Sequence, residues 1–273
     1  AMSGGMRYLS IADLDHFSAD KNIKKIKTEY GIFYEEKKSG YHLDKKELHN
    51  ISSVKAELKN LDFSVCQSPD EHYYLSYDVN AYQGKNPFSY KIKGETLFLK
   101  ENYADDHGVV HIGAIFREEN EAEKVTLYVP KQKKLDHFSM EMGDGDFSAS
   151  DLTADEIEGR VKYGDAEWKT VTCQNMKIHS EDGDIQLEKL AIGKTGDISS
   201  KYGDIRMKSV NIEEEGMQFV FSTQYGDLEI ADGIEGNKME DANEENLRFQ
   251  NEEKEVEKTL RVESIDGDIQ VEK

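Results

Sequence analysis

The sequence predicts an all-β protein: a parallel β-solenoid with coils of about 19–20 residues, preceded by an irregular β-rich N-terminal part. Three observations lead there. A Gly-Asp pair recurs at near-constant intervals, apolar and polar residues alternate with period two on both sides of each pair, and outward charges alternate in sign between repeats.

The recurrence is plainest in "RVKYGDAEWKTV" (160–171), with near-copies in "HSEDGDIQLEKL", "SSKYGDIRMKSV" and, more loosely, "STQYGDLEIADG". Six pairs fall into register: Gly145-Asp146, Gly164-Asp165, Gly183-Asp184, Gly203-Asp204, Gly226-Asp227 and Gly267-Asp268. Successive glycines are 19, 19, 20, 23 and 41 residues apart, the last interval being about two periods. Equal spacing at this length is the signature of stacked repeats.

Seven, five and three residues before each glycine the chain places apolar or small residues, such as Phe138/Met140/Met142, Ile157/Gly159/Val161 and Met176/Ile178/Ser180. Two and four residues after it stand Phe147/Ala149, Ala166/Trp168, Ile185/Leu187, Ile205/Met207, Leu228/Ile230 and Ile269/Val271. Alternation on both sides of a turn means two half-buried strands per repeat. Such a coil can stack on the next at ~4.8 Å. A meander of hairpins is the competing arrangement, but hairpins need no equivalent residues at equal spacing. Right-handed winding is favoured by the crossover rule, although that rule derives from longer βαβ units.

Charge supplies an independent argument. Glu158, Lys177 and Asp197 occupy one outward column, Lys162, Glu181 and Lys201 a second, and Lys169, Glu188 and Lys208 a third. Opposite charges adjacent in a stack pair favourably, and like charges repel. The three prolines, Pro69, Pro87 and Pro130, all lie outside residues 131–273, as continuous ladders require.

Residues 51–273 form the expected repeat domain. Within it, 235–258 carries nine acidic and four basic residues and reads as an exposed insertion, with a short helix in "NEENLRFQNEE". In the less regular region 51–130, "AELKNLDFSV", "HYYLSYDVNAY", "FSYKIKGETLFLKE", "GVVHIGAIF" and "KVTLYVP" read as strands that begin and cap the stack. Residues 1–50 form an N-terminal segment, either an irregular first coil or a cap. "IKKIKTEYGIFYEE" reads as a degenerate Gly-centred coil, while "SIADLDHFSADKNIKKIK" allows a partly helical alternative. The opening "AMSGGM" has the character of an expression scar or truncated linker, which leaves room for a signal or anchor upstream.

Composition bounds the function. Fourteen Tyr and eleven Phe are enough for a folded core, and a formal charge of −21 opposes binding to nucleic acid or broad adsorption to anionic lipid. Two cysteines, Cys66 and Cys173, suggest no disulfide framework. No run approaches the ~20 apolar residues of a membrane span, so membrane association would come only through an anchor outside this sequence.

Stacked carboxylates at Asp165, Asp184 and Asp204 are calcium candidates, since calcium takes oxygen ligands. The calcium-binding β-roll has a nine-residue repeat, half the spacing found here. The stronger reading makes all six Gly-Asp pairs structural turns, glycine allowing a left-handed backbone and aspartate accepting backbone N–H groups. In "DDHGVVHIG", Asp105, Asp106, His107 and His111 could share an ion on a helix, but the strand context separates the histidines by ~13 Å. β-Helices also carry polysaccharide lyases and glycosidases, which need paired carboxylates or acids with bases in one cleft. The outward columns are mixed instead, and no phosphate loop, Cys/His dyad or G-x-S-x-G motif is present. No catalytic residue and no cofactor is expected. Trp168 falls in the inward register and reads as core.

The run "KVTLYVPKQKKLDHFSMEMGDGDFSASDL", with "IEGRVKYGDAEW" and "MKIHSEDGDIQLEKL", resembles the bacterial putative-adhesin family of Gly-Asp β-strand repeats, a domain of unknown function. The likeness covers about residues 50–273 and is best at 125–230. It implies a solenoid-like domain of the cell envelope or extracellular surface, often beside a membrane anchor, with some relatives tied to envelope stress responses. It brings no catalytic residues. The function expected is a non-enzymatic binding or sensing scaffold whose surface ligand is a glycan, peptide or protein. A carbohydrate-active enzyme and a spacer without a ligand are the alternatives.

Overall fold

A computed structural model describes residues 23–28, 31–36, 40–80, 85–102, 123–241 and 245–273. Its elements are strands throughout. The region 51–130 begins with β3 (Gly40–Leu48) just upstream, then β4 (Ser53–Leu58), β5 (Asp62–Gln67), β6 (Tyr73–Asn80), β7 (Phe88–Lys93), β8 (Thr96–Glu101) and β9 (Lys124–Val129). It is preceded by β1 (Ile23–Thr28) and β2 (Gly31–Glu36), an antiparallel pair in a sheet of their own. The described parts of "IKKIKTEYGIFYEE", 23–28 and 31–36, therefore pair antiparallel, unlike the parallel strands of a Gly-centred coil. Residues 10–22 of the helical alternative, and the strand expected at "GVVHIGAIF", lie outside the described residues.

The repeat region comprises β10 (Leu135–Met142), β11 (Phe147–Val161), β12 (Ala166–Ser180), β13 (Ile185–Ser200), β14 (Ile205–Lys208), β15 (Met217–Thr223), β16 (Leu228–Ile230), β17 (Asn237–Glu240), β18 (Leu247–Gln250), β19 (Lys258–Ser264) and β20 (Ile269–Glu272). Pairing from β10 through β14 is parallel, and equivalent positions oppose each other: Phe147, Ala166, Ile185 and Ile205 form one row, and Ile157, Met176 and Gly196 another. The hairpin meander is not what these strands form. Each repeat feeds two strands into the 18-stranded sheet, and the inward residues of both meet in one core.

That core is aromatic where the repeat is most regular. Phe147 and Trp168 have ring centroids 4.6 Å apart, and Phe63 and Phe138 pack around them. Trp168 is fully buried and its indole N–H has no partner, so it is core as expected. The unmet donor costs about 1–3 kcal/mol, offset by the area the ring removes from water.

Two features depart from the sequence reading. The repeats do not stack in chain order. β13 and β14 pair with β19 and β20, which in turn pair with β15 and β16. The C-terminal repeat is thus inserted between the two that precede it, and the 41-residue interval is an excursion over the end of the stack and back. The other end behaves likewise: β4 and β5 lie between β10–β11 and the later β8–β9. Antiparallel strands cover both ends, β7 on β8, β6 on β9 with β3 on β6 in turn, and β18 on β15. Covering blunts the open edge that would otherwise template association.

The second departure is the 235–258 insertion. Its 247–250 segment is a strand, not a helix: β17 and β18 form a hairpin, and β18 lays Phe249 beside Phe219. "LRFQ" alternates with period two, and that pattern outweighs the surrounding helix-favouring glutamates.

Candidate functional site

The Gly-Asp corners form a column along the stack. Each Asp side chain accepts the backbone N–H of the next Asp in space: Asp62 from Asp146, Asp146 from Asp165, Asp165 from Asp184, Asp184 from Asp204, Asp204 from Asp268, and Asp268 from Asp227, at 2.7–3.0 Å. Asp62 had no Gly before it and was missed in the sequence. Leu61 fills the place where the other repeats carry Gly, and "NLDF" aligns with "DGDF" only once the neighbouring strands are known.

Glycine is required at these corners for space. A Cβ on Gly164 would stand 2.1 Å from the Gly145 carbonyl oxygen, and one on Gly183 would stand 1.8 Å from that of Gly164. Gly203, Gly267 and Gly226 meet the same obstacle. None of the six adopts a left-handed backbone, so that part of the expectation is corrected. The left-handed residues sit at the opposite corner instead, at Asp151, Thr170, Lys189 and Ser209, with φ of 53–56°. Those four positions hold neither glycine nor asparagine, so nothing in the residue types marks that corner.

The calcium candidates are occupied by the protein itself. Arg206 donates to Asp184 Oδ2 at 3.2 Å and to Asp204 Oδ2 at 2.8 Å, while the other oxygen of each accepts a backbone N–H. Asp165 likewise accepts from Asp184. Among the described residues no three His, Cys, Asp or Glu side chains converge as metal ligands. Asp105, Asp106, His107 and His111 lie outside the described residues.

A shallow cleft of about 170 Å³ crosses the outward face after the Gly-Asp corner, lined by Glu167, Lys169, Glu188, Arg206, Lys208 and Glu272 among others. Its carboxylates are matched by lysines: Glu167 with Lys169, Glu188 with Lys189, and Glu272 with Lys208. His179 and Ser199 approach to 3.0 Å on an exposed face, as stacked column neighbours.

A third column stands one residue before each glycine. In spatial order it reads Asp144, Tyr163, Asp182, Tyr202, Asp266, Tyr225. The three tyrosines are 52, 48 and 58% exposed, and with Ile265 they are four of the seven exposed large apolar residues among those described. Sequence reasoning passed over this column because chain order breaks its alternation at Tyr202 and Tyr225. It was legible only after the C-terminal repeat had been placed.

These parallel, column-built repeats define a class: an all-β repeat domain whose side-chain ladders run along a stack. The chain belongs to the Toastrack DUF4097 family, which matches residues 51–215, more than half its length. None of the curated proteins compared with it matches. Several solved structures are similar, three of them as follows. A putative cell adhesion protein from Clostridium sporogenes shares 11% identity at a TM-score of 0.47, over 86% of this chain and 99% of that one. A putative adhesin from Bacteroides fragilis shares 12% at 0.44, over 85% and 97%. A putative lipid binding protein from Parabacteroides distasonis shares 11% at 0.24, over 84% and 96%. No helix among the described residues is long and apolar enough to cross a membrane.

Proposed function

We propose that the protein is a non-enzymatic binding scaffold of the bacterial cell envelope or surface, built as a β-solenoid, with its Gly-Asp corners serving structure. One observation carries the reading: the Gly-Asp corners are tied coil to coil by their own Asp side chains and by Arg206, while a column of half-exposed tyrosines stands beside them. Hydrolysis of glycosides would need two carboxylates in complementary protonation states across a substrate, and Glu167 and Glu272 of the cleft lie in ion pairs with Lys169 and Lys208 instead. Membership in a family of unknown function adds no catalytic group.

A thermal-shift panel of cell-wall glycans, cationic peptides and calcium, followed by turnover assays on each hit, tests this. A saturable shift without cleavage is expected. Cleavage of a glycan would replace the reading with an enzyme, and no shift from any ligand would leave a spacer. A shift with calcium would make the Asp column a cation site. Surface labelling of cells producing the native full-length protein checks the location.

A further inference from the structure

The tyrosine column has the regularity of a ruler. Its backbone is held rung by rung: Tyr163 N–H donates to Gly143 O, Asp182 to Lys162 O, Tyr202 to Glu181 O, Asp266 to Lys201 O and Tyr225 to Ile265 O, at 2.8–3.1 Å. Adjacent rungs are one strand spacing apart, ~4.8 Å, so successive tyrosines are ~9.6 Å apart. A site this rigid needs little ordering when a ligand arrives.

Its chemistry selects among ligands. Lys162 Nζ lies 4.8 Å from the Tyr163 ring centre and Lys201 Nζ 4.7 Å from that of Tyr202. The protein's own lysines thus already supply the cation for two rings, which disfavours a cationic guest. Glu181 and Asp144 lie within electrostatic range of Lys162, and Glu181 and Asp266 within range of Lys201. The carboxylates between the rings would repel an anionic guest, and the interleaved lysines offset their field. What remains is the aromatic surface that the lysine ammonium groups leave uncovered, able to stack on apolar C–H surfaces, next to carboxylates able to accept hydroxyl protons.

We propose that this column binds an uncharged, extended β-1,4-linked polysaccharide lying along the stack. Tyr163, Tyr202 and Tyr225 stack on every second sugar, because two coil rises match the advance of one disaccharide in such a chain. Asp182 and Asp266 accept hydroxyl protons from the sugars between. This rests on the binding-scaffold reading and gives it a ligand class and a site.

The test titrates cellohexaose and chitohexaose into the whole chain by calorimetry, with maltohexaose and a proline-rich cationic peptide as comparisons. At least one β-1,4 hexasaccharide is expected to bind, more tightly than its disaccharide, and maltohexaose not. Tyr163→Ala, Tyr202→Ala and Tyr225→Ala should each weaken binding roughly fivefold to tenfold, the size of one aromatic contact. Tyr202→Phe should retain most of it. Unchanged melting temperatures will show that these exposed substitutions leave the fold intact. Binding that ignores the tyrosines overturns the ladder while sparing the scaffold reading. Tyrosine-dependent binding of the peptide instead overturns the choice of ligand. Absence of binding by every β-1,4 chain overturns the proposal, and the scaffold reading falls with it only if the broader panel also shows no ligand or shows cleavage.

Discussion

Two glycines show how differently the same residue can be required. Gly94 turns the β7–β8 hairpin at φ 62°, and a Cβ there would meet nothing within 4 Å. Gly183 has an ordinary backbone, but its Cβ would collide with the Gly164 carbonyl. Gly94→Ala should therefore cost about 1 kcal/mol, from backbone strain alone. Gly183→Ala should cost about 3 kcal/mol or more, because two coils must separate to admit a methyl group. Chemical denaturation of both variants checks the ordering, and equal costs would contradict the close approach. The reverse experiment is available at Thr170, a β-branched residue held at φ 54°. Thr170→Asn should stabilise the protein by about 0.5–1 kcal/mol, since asparagine tolerates that backbone. Cys173 adds a pH dependence. Burial, and secondarily the Glu156 carboxylate, push its thiol from the ordinary 9.0 up to about 12. A raised folded-state value favours the protonated form, so this contribution to stability is complete below pH 9.0 and is lost as pH rises toward about 12. Cys173→Ala should accordingly show a shallower alkaline decline in its denaturation midpoint than the natural chain.

At the scale of elements, the inserted β19–β20 pair is the feature to explain, and the outward charges explain it. In chain order the third charge column runs Lys169, Glu188, Lys208, Ala231, Glu272, with the alternation broken at Ala231. In space Glu272 lies next to Lys208, and Arg261 lies next to Asp197, so both columns continue to alternate. A repeat with the wrong neighbours would forfeit these pairs, each worth about 0.2–1 kcal/mol. Oxidation of cysteine pairs tests the order directly. Arg206→Cys with Gln270→Cys places the thiols on adjacent strands, and a disulfide should form. Arg206→Cys with Glu229→Cys places them two strands apart, ~9.6 Å, beyond the Cα separation a disulfide spans. The second pair should stay reduced, and its ready oxidation would mean that the repeats stack in chain order. The sequence disclosed the columns because alternation and spacing are local properties of each repeat. It hid the stacking order because that depends on which edge is free when the last strand arrives. It also hid the left-handed corners, since Asp151, Thr170, Lys189 and Ser209 share no residue type. The Tyr and Asp rungs were visible as letters, but their alternation depended on the same hidden order.

For the molecule as a whole, a stack of nearest-neighbour contacts makes stability local, with each repeat held by the two it touches. The insertion changes that logic at the C-terminal end. β15 and β16 have their parallel contacts with β19 and β20, and their other partner is the β18 hairpin strand. The repeat at 217–230 is thus anchored to the body of the protein through the last sixteen residues of the chain. If residues 258–273 are removed, that repeat could recover only by sliding inward onto β13 and β14. Doing so would set Val220 against Asp197, Ala231 against Lys208 and Tyr225 against Tyr202, with no charge pair formed in either column. Hydrogen exchange on the truncated chain should therefore show residues 217–230 and 247–250 losing protection together. The strands between Leu135 and Ser180, whose partners lie elsewhere, should remain slow. Protection retained at 217–230 would show that the repeat docks without its inserted neighbour, and the charge columns would then have no part in choosing the order of the stack.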